Sequence, residues 1–594
     1  MTNTAMLTSG ALSAFLALST PLAAQTQTYP VTNITGSMTF MRTVNAQQAA
    51  QASISSTSLF AATATLNVAE SLKGRNRFAP PRLNSSRFAA TSLAPIVAAA
   101  TQLLPVVAGP VKTSFIGLSH LDQRLANGGN QFSVEPPNPS IAVGNGYVLE
   151  GVNNAVQVYT TTGTPLLIKV ISSNELFGVL PAINRENGVN GVFPTDMRVF
   201  FDGGMNRWFV LQRAQDYDVA GNALNSSRLY LAVSKTADPV GVYNIYAMDT
   251  TNPTNPGCPC VADYPQIGAD EYGFHIGVNE FTTTTQNFVD AAIFSISKNS
   301  LTTSATTPVV TRVLLPFQSG YEFAIQPATT PPGASNFLAS GGVEFFVSTV
   351  ASYAAGTNVA VWSMSNTSSL SSSRPALTLV RTVIPSMYYT NPDSATQPEG
   401  YRPYGTSLNP PGPLPLIDGG DTRVQALYYA GGRLHLTFAA KVTQASGSNV
   451  VGAAYMVLAP TLRGTALAAQ VIRQRMFAVT NHHLLRPSIG VDSQGRGAIA
   501  ATLVGPEWYP SAAFLPIEPV AANASMVRVA ASGTLPEDGF TGYAGSTQTV
   551  SRWGDYSSTA IANDGSVWMV AQYIGSSPRT AFANWGTFIM STKL

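Results

Sequence analysis

The sequence predicts an all-β protein: a β-propeller of about seven four-stranded blades, behind a signal peptide and a low-complexity N-terminal extension. Three observations lead to this fold class. A segment of the form Pro-(Ser/Gln)-Ile-(Ala/Gly) recurs, its copies are regularly spaced, and helical patterns are scarce. The composition agrees, because a chain with 10% charged residues, 49 Gly and 40 Pro suits many short strands joined by turns.

The N-terminus has the pattern of an export signal. An apolar stretch from Ala11 to Leu18 is followed by the small residues Ala23 and Ala24, so residues 1–24 are predicted to be a signal peptide. This stretch is shorter than the ~18 apolar residues that a membrane-spanning helix needs. We therefore predict no transmembrane segment in the mature chain and a secreted, periplasmic or cell-surface location.

Residues 25–112 are rich in Ala, Ser, Thr, Gln and Asn and show little alternation, so they are predicted to be an extension or linker. The pattern changes near Phe115, and the propeller domain is predicted over residues 113–594. We hypothesise that Thr113–Leu118 adds a strand to the last blade. Closing the ring in this way would protect edge strands from aggregation.

The repeats define the blades. Segments that begin at Pro139, Pro265 and Pro487 align with one another, and each reads as a strand, a turn with glycine and a second strand. The segment from Ser557 fits the same frame, and less regular units begin near residues 196, 341 and 421. The starts are roughly 55 to 80 residues apart, which is room for the four short strands of a blade. Six or eight blades remain alternatives, because the unit near residue 341 is faint.

Composition and motifs exclude several functions. The net charge of +2 comes from 32 basic and 30 acidic residues without basic runs, so no nucleic-acid partner is predicted. Cys258 and Cys260 are the only cysteines and are too few for a structural zinc site, so they form a local turn staple or remain two free thiols. The sequence has no His-Glu-x-x-His, nucleophile-elbow or P-loop motif, and no metal site is predicted.

Polar residues recur where each repeat begins. Inner strands of a propeller run along the central channel, so these residues should cluster at its mouth. The alignment sets Asp263 level with Asp555, and Tyr264 level with Tyr556. The predicted ligand-binding residues are Asp196, Arg198, Asp263, Tyr264, Asp421, Arg423, Arg486, Arg552, Asp555 and Tyr556.

This set of residues permits several interpretations. Arginines pair with carboxylates in two-pronged contacts, which suits carboxylate or carbohydrate binding. Two carboxylates at suitable spacing could hydrolyse a glycosidic bond, and a ring of carboxylates could bind Ca²⁺. A structural interpretation is also open, in which each Asp caps its turn and pairs with a neighbouring Arg across a blade junction.

Four segments together resemble a known group of proteins: HLDQRLANGGNQFSVEPPNPSIAVGNGYVLEGVNNAVQVY, CPCVADYPQIGADEYGFHIGVNEF, WYPSAAF and RWGDYSSTA. The chain resembles exported bacterial sialidase-like, neuraminidase-repeat-type β-propellers of uncharacterised function, from about His120 to its end. The resemblance implies export and a propeller. Sialidase activity is not expected, because the Phe-Arg-Ile-Pro signature is absent and no segment has the spacing of the sialidase Asp box.

The sequence thus predicts an exported propeller that binds an extracellular or cell-surface ligand, with a glycan as the favoured class. The alternative is a secreted carbohydrate-active enzyme, a glycosidase or lyase, that uses the acids and arginines at the channel mouth. No cofactor is predicted apart from the Ca²⁺ alternative. The expected partner is an extracellular glycan or another surface ligand.

Overall fold

The computed structural model describes residues 26–52, 101–109, 111–185, 187–350, 355–401, 412–518, 523–542, 550–577, 579–580 and 582–594. The predicted signal peptide and residues 53–100 of the predicted extension lie outside these ranges. Within these ranges, six short strands precede the first blade: β1 (Gln27–Tyr29), β2 (Thr32–Asn33), β3 (Met38–Asn45), β4 (Thr101–Leu103), β5 (Val106–Ala108) and β6 (Thr113–Ser119).

Seven antiparallel sheets follow, and their first strands contact one another in a closed ring, so the fold is a seven-bladed β-propeller. We number the blades in chain order and give their strands from the channel outward. Blade 1 has β7 (Ser140–Gly144), β8 (Tyr147–Val152), β9 (Ala155–Thr160) and β10 (Ile171–Ser172); blade 2 has β11 (Phe193–Asp202), β12 (Arg207–Tyr217), β13 (Ala223–Ser234) and β14 (Val242–Asp249); blade 3 has β15 (Cys260–Ala269), β16 (Gly273–Thr282), β17 (Phe288–Ser297) and β18 (Val310–Pro316); blade 4 has β19 (Gln326–Pro327), β20 (Val343–Thr349), β21 (Gly356–Ser365) and β22 (Thr378–Tyr389).

The remaining blades have the same plan. A short parallel pair, β23 (Leu416–Ile417) with β33 (Val550–Ser551), stands outside the blades. Blade 5 has β24 (Ala426–Ala430), β25 (Arg433–Thr443), β26 (Asn449–Arg463) and β27 (Ala466–Ala478); blade 6 has β28 (His483–Val491), β29 (Gly497–Gly505), β30 (Trp508–Glu518) and β32 (Val527–Ala531), with β31 (Asn523–Ala524) also paired to β30; blade 7 has β34 (Ser558–Ile561), β35 (Val567–Tyr573) and β36 (Gly586–Thr592).

The helices of the described residues are short and lie in connections. The α-helices are α1 (Ala46–Ala52), α2 (His120–Leu125), α3 (Ser173–Phe177) and α4 (Lys298–Thr302), and the 3₁₀ helices span Ala126–Gly129, Thr367–Ser371 and Phe540–Gly542. Both α2 and α3 begin with a capping box, in which a serine and the acid three residues later bond each other's backbone N–H.

Turn residues explain why neighbouring strands form hairpins. Asn145 and Gly146, between β7 and β8, have φ values of 50° and 83°. Gly431 and Gly432, between β24 and β25, have values of 56° and 73°. Tight two-residue hairpins require positive φ at both positions, which Asn and Gly adopt at the lowest cost.

The N-terminal strands form a belt around the propeller. Strands β1, β2 and β3 pair with the outer strands of blades 4, 3 and 2, and β4 and β5 pair in parallel with those of blades 5 and 6. Strand β6 pairs antiparallel with β36 and completes blade 7, which confirms the hypothesis of ring closure. The extension therefore contributes strands to the sheets, whereas the domain boundary at residue 113 stays a prediction.

Inner strands also bond to their neighbours around the ring. The Ser558 hydroxyl of blade 7 accepts a hydrogen bond from the Ile141 amide of blade 1, at 3.2 Å. The Ser140 hydroxyl of blade 1 likewise accepts from the Val199 amide of blade 2, at 3.0 Å. These serines occupy the same position in their repeats, and each hydroxyl bonds the backbone of the inner strand of the next blade.

The predicted start of one blade is wrong. The repeat pattern predicts that a blade begins near residue 341, but this segment leads into β20, the second strand of blade 4. The inner strand of that blade is β19, which has only two residues and is separated from β20 by a long connection. A two-residue strand leaves no alternation to detect, which explains why this unit looked faint.

Candidate functional site

An unusual backbone conformation recurs just before the inner strand of a blade or within that strand. In five blades a residue other than glycine has a positive φ there: Asn138 (51°), Asp196 (56°), Tyr264 (53°), Ala324 (48°) and Arg486 (50°). Such conformations cost on the order of 1 kcal/mol or more and tend to occur at functional sites. We call these residues and their equivalents, Arg423 and Tyr556, the strand-start positions.

A shared arginine joins two of the predicted acids. The Arg213 Nε atom, on the second strand of blade 2, lies 3.3 Å from Asp196 Oδ2 and 3.3 Å from Asp263 Oδ1. The two acids come from blades 2 and 3, and each is largely buried. One guanidinium therefore holds two carboxylates from different blades at the same mouth of the channel.

A buried amide extends this group to blade 7. Asn138 Nδ2 donates hydrogen bonds to Asp196 Oδ1 at 2.8 Å and to Asp555 Oδ2 at 3.1 Å. The Asp555 amide in turn donates to Asn138 Oδ1 at 2.7 Å. Arg552 Nη2 lies 3.3 Å from Asp555 Oδ2. Asp196, Asp263 and Asp555 thus form one connected cluster with two arginines between and beside them.

Next to this cluster, arginine and tyrosine side chains stack on one another. The rings of Tyr264 and Tyr556 stack with centroids 4.9 Å apart and planes 16° apart. Arg423 lies over the Tyr264 ring at 4.3 Å, and Arg198 lies over the Tyr556 ring at 4.5 Å. Cation–π contacts strengthen when they are shielded from water. We call these four side chains the floor: Tyr264 and Arg423 line a cavity on one side of it, and Arg198 lines a cavity on the other.

A carboxylate fixes one arginine of this floor. Arg423 Nε lies 2.7 Å from Asp421 Oδ1, and Arg423 Nη2 lies 2.6 Å from Asp421 Oδ2, so the pair makes a two-pronged contact. Both side chains are 6% exposed. The charge of Arg423 is therefore compensated within its own blade.

The electrostatics of the cluster single out Asp263. Burial raises the pKa of its carboxyl from 3.8 to about 7. The Arg213 guanidinium lowers this pKa, while the carboxylates of Asp196 and Asp555 raise it. At neutral pH the Asp263 carboxyl is thus divided between its charged and protonated forms.

Above the floor the cluster lines a small cavity of about 60 Å³ at what we call the narrow mouth of the channel. Its wall includes six of the predicted residues: Asp196, Asp263, Tyr264, Arg423, Arg552 and Asp555. Arg198 and Tyr556 lie in the floor, and Asp421 lies behind Arg423. The structure does not bring Arg486 to the cavity, because its side chain binds the Trp553 carbonyl at 2.8 Å and Asp418 at 3.1 Å.

Sequence reasoning missed several polar residues of the wall, among them Glu135, Asn138, Asn153 and Arg213. A signal existed for Asn138, because it precedes Pro139 as Tyr264 precedes Pro265 in the aligned repeats. No such signal marks Arg213, which lies on a second strand and reaches the mouth across its neighbour. Asn153 fixes the backbone of the site by accepting a hydrogen bond from the Asp196 amide at 2.9 Å.

The arrangement also bears on metal binding. A cation between Asp196 and Asp263 would have to occupy the place of the Arg213 guanidinium. Among the described residues, the group of three potential ligand atoms within 4.8 Å of one another is Cys258, Cys260 and Glu280, and the two cysteines are joined in a disulfide. The two cysteines are therefore bridged and are not two free thiols.

A second, larger cavity of about 670 Å³ occupies the other end of the channel, below the Arg–Tyr floor. We call this end the wide mouth; its wall combines aliphatic side chains, among them Ile141, Val199 and Ile267, with charged ones such as Asp202 and Lys298. Within the described residues, no helix is long and apolar enough to cross a membrane.

Fold and site together define the class: a seven-bladed β-propeller with a charged cavity at one mouth of its channel. Similar solved structures include the NanB sialidase from Streptococcus pneumoniae, with 11% identity, a TM-score of 0.33, and coverage of 81% of this chain and 70% of that one. Another is the Penicillium chrysogenum α-L-arabinanase, with 10% identity, a TM-score of 0.31, and coverage of 82% and 99%.

A third is the α-L-arabinofuranosidase from Lactobacillus brevis, with 10% identity, a TM-score of 0.26, and coverage of 67% of this chain and 90% of that one. With such low TM-scores these likenesses give no information about the site. No protein-family model and no curated protein matches the chain. Its function therefore has to be argued from its own residues.

Proposed function

We propose that this protein is an exported propeller that binds the end group of an extracellular or cell-surface glycan in the narrow-mouth cavity. The observation that carries the proposal is the convergence of Asp196, Asp263 and Asp555, from three blades, with Arg213 and Arg552. Alternating carboxylates and guanidiniums present hydrogen-bond acceptors and donors side by side. Neighbouring hydroxyl groups of a sugar can use both at once.

The charge balance favours a neutral ligand. Asp196 and Asp555 offset Arg213 and Arg552, and Asp421 offsets Arg423. Asp263 is only partly charged at neutral pH, because its pKa is raised to about 7. A cavity without a strong excess of either sign discriminates against strongly charged ligands and suits a hydroxyl-rich one.

The size of the cavity sets how much of the ligand it can hold. Its volume of about 60 Å³ is far below the roughly 300–1,000 Å³ of pockets that enclose a whole small ligand. The cavity can therefore take the end of a glycan and leaves the rest outside. This size favours recognition of a chain end over enclosure of a whole sugar.

The test is a screen of the purified protein against a glycan array and a panel of polysaccharides, followed by calorimetry on the best ligand. We expect Asp263→Asn and Arg552→Gln each to weaken binding about tenfold or more, because each removes a charge-assisted hydrogen bond. Asp393→Asn is the matched control, since Asp393 forms an exposed pair with Lys441. Equal affinities for all three variants and the wild type would refute the proposed site.

Asp263 also supports a second candidate function, a glycosidase of the same location. A carboxyl with a pKa of about 7 can serve as a general acid at neutral pH. Asp196 Oδ2 and Asp263 Oδ1 each lie 3.3 Å from Arg213 Nε. The two oxygens are therefore at most twice that distance apart. Such close spacing favours a retaining mechanism. Product release that Asp263→Asn and Asp196→Asn abolish would establish this activity, whereas binding without turnover supports the module.

Export is part of the proposal and has its own test. The apolar stretch from Ala11 to Leu18 and the small residues after it support a cleaved signal. Fractionation of the native host, with N-terminal sequencing of the mature protein, should find the chain outside the cytoplasm and starting near Gln25. An intact N-terminus in the cytoplasmic fraction would contradict it.

A further inference from the structure

The disulfide of blade 3 joins a partly exposed cysteine to a buried one. Cys258 belongs to the loop before β15 and is partly exposed, whereas Cys260 is the first residue of β15 and is fully buried. An incoming thiol can therefore approach Cys258 and cannot approach Cys260. The two sulfurs are unequal in the way that thiol–disulfide exchange requires, because attack must occur at one and departure at the other.

A buried carboxyl stands beside this bridge. Glu280 on β16 is 0% exposed, and its Oε2 atom lies 4.0 Å from Cys258 Sγ. Asn255 Nδ2 donates to Glu280 Oε2 at 3.3 Å and to Asp290 Oδ2 at 2.7 Å, and Asn252 Nδ2 lies 3.1 Å from the same Glu280 oxygen. The loop that carries the disulfide thus also holds two neighbouring carboxyl groups in place.

These carboxyl groups favour the protonated form. Burial raises the pKa of Glu280 well above its usual range, and the neighbouring Asp290 raises it further. Arg312, whose Nη1 atom lies 2.6 Å from Asn252 Oδ1, lowers it in part and also disfavours a bound cation. Burial and the neighbouring Asp290 therefore both favour the protonated form of Glu280 next to the bridge.

A purely structural role accounts for little of this arrangement. The cysteines are separated by two positions in the sequence, so the bridge closes a very short loop. A short loop restricts the unfolded chain less than a long one and gives less stabilisation. A staple would also need no buried acid beside it, since burying a carboxyl is unfavourable unless it is compensated.

We propose that Cys258 and Cys260 form a thiol–disulfide exchange site, with Glu280 as the proton donor, that oxidises a dithiol of a peptide or protein. One thiolate of the substrate attacks Cys258 Sγ, the Cys258–Cys260 bond breaks, and its electron pair goes to Cys260 Sγ, which takes the Glu280 proton. The Glu280 oxygen and both sulfurs lie within 4.8 Å of one another.

The second half of the reaction releases the product. The other substrate thiol attacks the substrate sulfur of the mixed disulfide, and Cys258 leaves as a thiolate. The substrate gives up two protons. One of them reprotonates Glu280, whose own proton has passed to Cys260, and the other protonates Cys258. The substrate gains one disulfide and the protein gains two thiols, so two electrons and two protons are transferred.

The test measures reduction of the bridge in the full chain by a reduced dithiol peptide under anaerobic conditions. We expect the protein to react about tenfold or more faster than an oxidised peptide with the sequence of residues 256–262, because general acid catalysis gives at least this factor. Glu280→Gln should remove most of the difference. Glu344→Gln is the matched control, since Glu344 is also a buried carboxyl but lies in blade 4.

Trapping identifies the attacked sulfur without depending on rates. In Cys260→Ser, incubation with glutathione disulfide should give a mixed disulfide on Cys258, seen by mass spectrometry of the digested protein. In Cys258→Ser, the buried Cys260 should remain unmodified in the folded chain. Equal rates for the protein and the peptide, an equal loss in Glu280→Gln and Glu344→Gln, or modification of Cys260 instead of Cys258 would each overturn the proposal.

Discussion

The two mouths of the channel are built by the same seven inner strands and differ in the side chains that these strands carry there. At the narrow mouth the strand-start positions of blades 1 to 4 carry four different residues, Asn138, Asp196, Tyr264 and Ala324. Three residues further along, the wall of the wide mouth repeats an aliphatic side chain in Ile141, Val199 and Ile267. Positions that repeat build the fold, and positions that vary build the site.

The charged groups of the two mouths also have different partners. At the wide mouth, Lys298 lies 2.5 Å from Asp202 and also donates to the Asp270 carbonyl, so its charge is used within the wall. At the narrow mouth, Arg213 divides its contact between two acids at 3.3 Å each. Longer, divided contacts can be exchanged for contacts to a ligand at lower cost than short, saturated ones.

The largest effect is expected where the floor between the two mouths is broken. Arg423→Ala removes the partner of buried Asp421 and the cation over Tyr264, so it should lower the free energy of unfolding by about 3–5 kcal/mol. Guanidinium unfolding followed by circular dichroism measures this. Arg496→Ala is the control: Arg496 is 45% exposed beside Asp492, and its loss should cost under about 1 kcal/mol. Similar losses for both variants would show that the floor is not a structural element.

How much of this comparison the sequence predicts depends on where each residue lies in its repeat. Pro139, Pro265 and Pro487 located the inner strands of blades 1, 3 and 6, because a proline follows the residue with positive φ in each. Arg213 could not be located, since it reaches the site from a second strand. Arg198 lies in the floor, whereas Arg486 binds Asp418 outside the cavity. This difference depends on neighbours in three dimensions, which the spacing of residues in the sequence does not encode.

The belt was invisible in the sequence for a different reason. Strands β1, β2, β4 and β5 have two or three residues each, too few to show an alternating pattern. Their partners lie hundreds of residues away, on the outer edges of blades that were themselves complete. Whether a segment becomes such a strand is decided by an available edge and not by its own composition.

The second effect concerns the pH dependence at the narrow mouth. The pKa of Asp263 is raised from 3.8 to about 7 in the folded chain. The folded state therefore binds this proton more tightly, and stability falls as the pH rises between these values and then stays level. Asp263→Asn should be more stable than the wild type at pH 8, by up to about 4 kcal/mol because one pKa unit corresponds to about 1.4 kcal/mol, and this gain should vanish near pH 4.

Asp393→Asn is the control with the opposite sign. The hydrogen bond from Lys441 lowers the pKa of Asp393, so its contribution is present at neutral pH and is lost on acidification. This variant should be slightly less stable than the wild type at pH 8, by under about 1 kcal/mol because the pair is exposed. Urea unfolding at both pH values distinguishes the two. A difference between Asp263→Asn and the wild type that does not change with pH would show that Asp263 does not titrate in this range.

The smallest effect belongs to the wide mouth, where one neutral hydrogen bond joins two blades. The Tyr428 hydroxyl of blade 5 donates to the Thr559 carbonyl of blade 7 at 3.0 Å, across the channel. Tyr428→Phe keeps the ring and removes this bond, so it should lower the free energy of unfolding by about 1 kcal/mol. Because the Arg–Tyr floor lies between the two cavities, glycan affinity at the narrow mouth should stay unchanged in calorimetry. A loss of affinity in this variant would mean that the ligand reaches through the floor, and the two mouths would then form a single site.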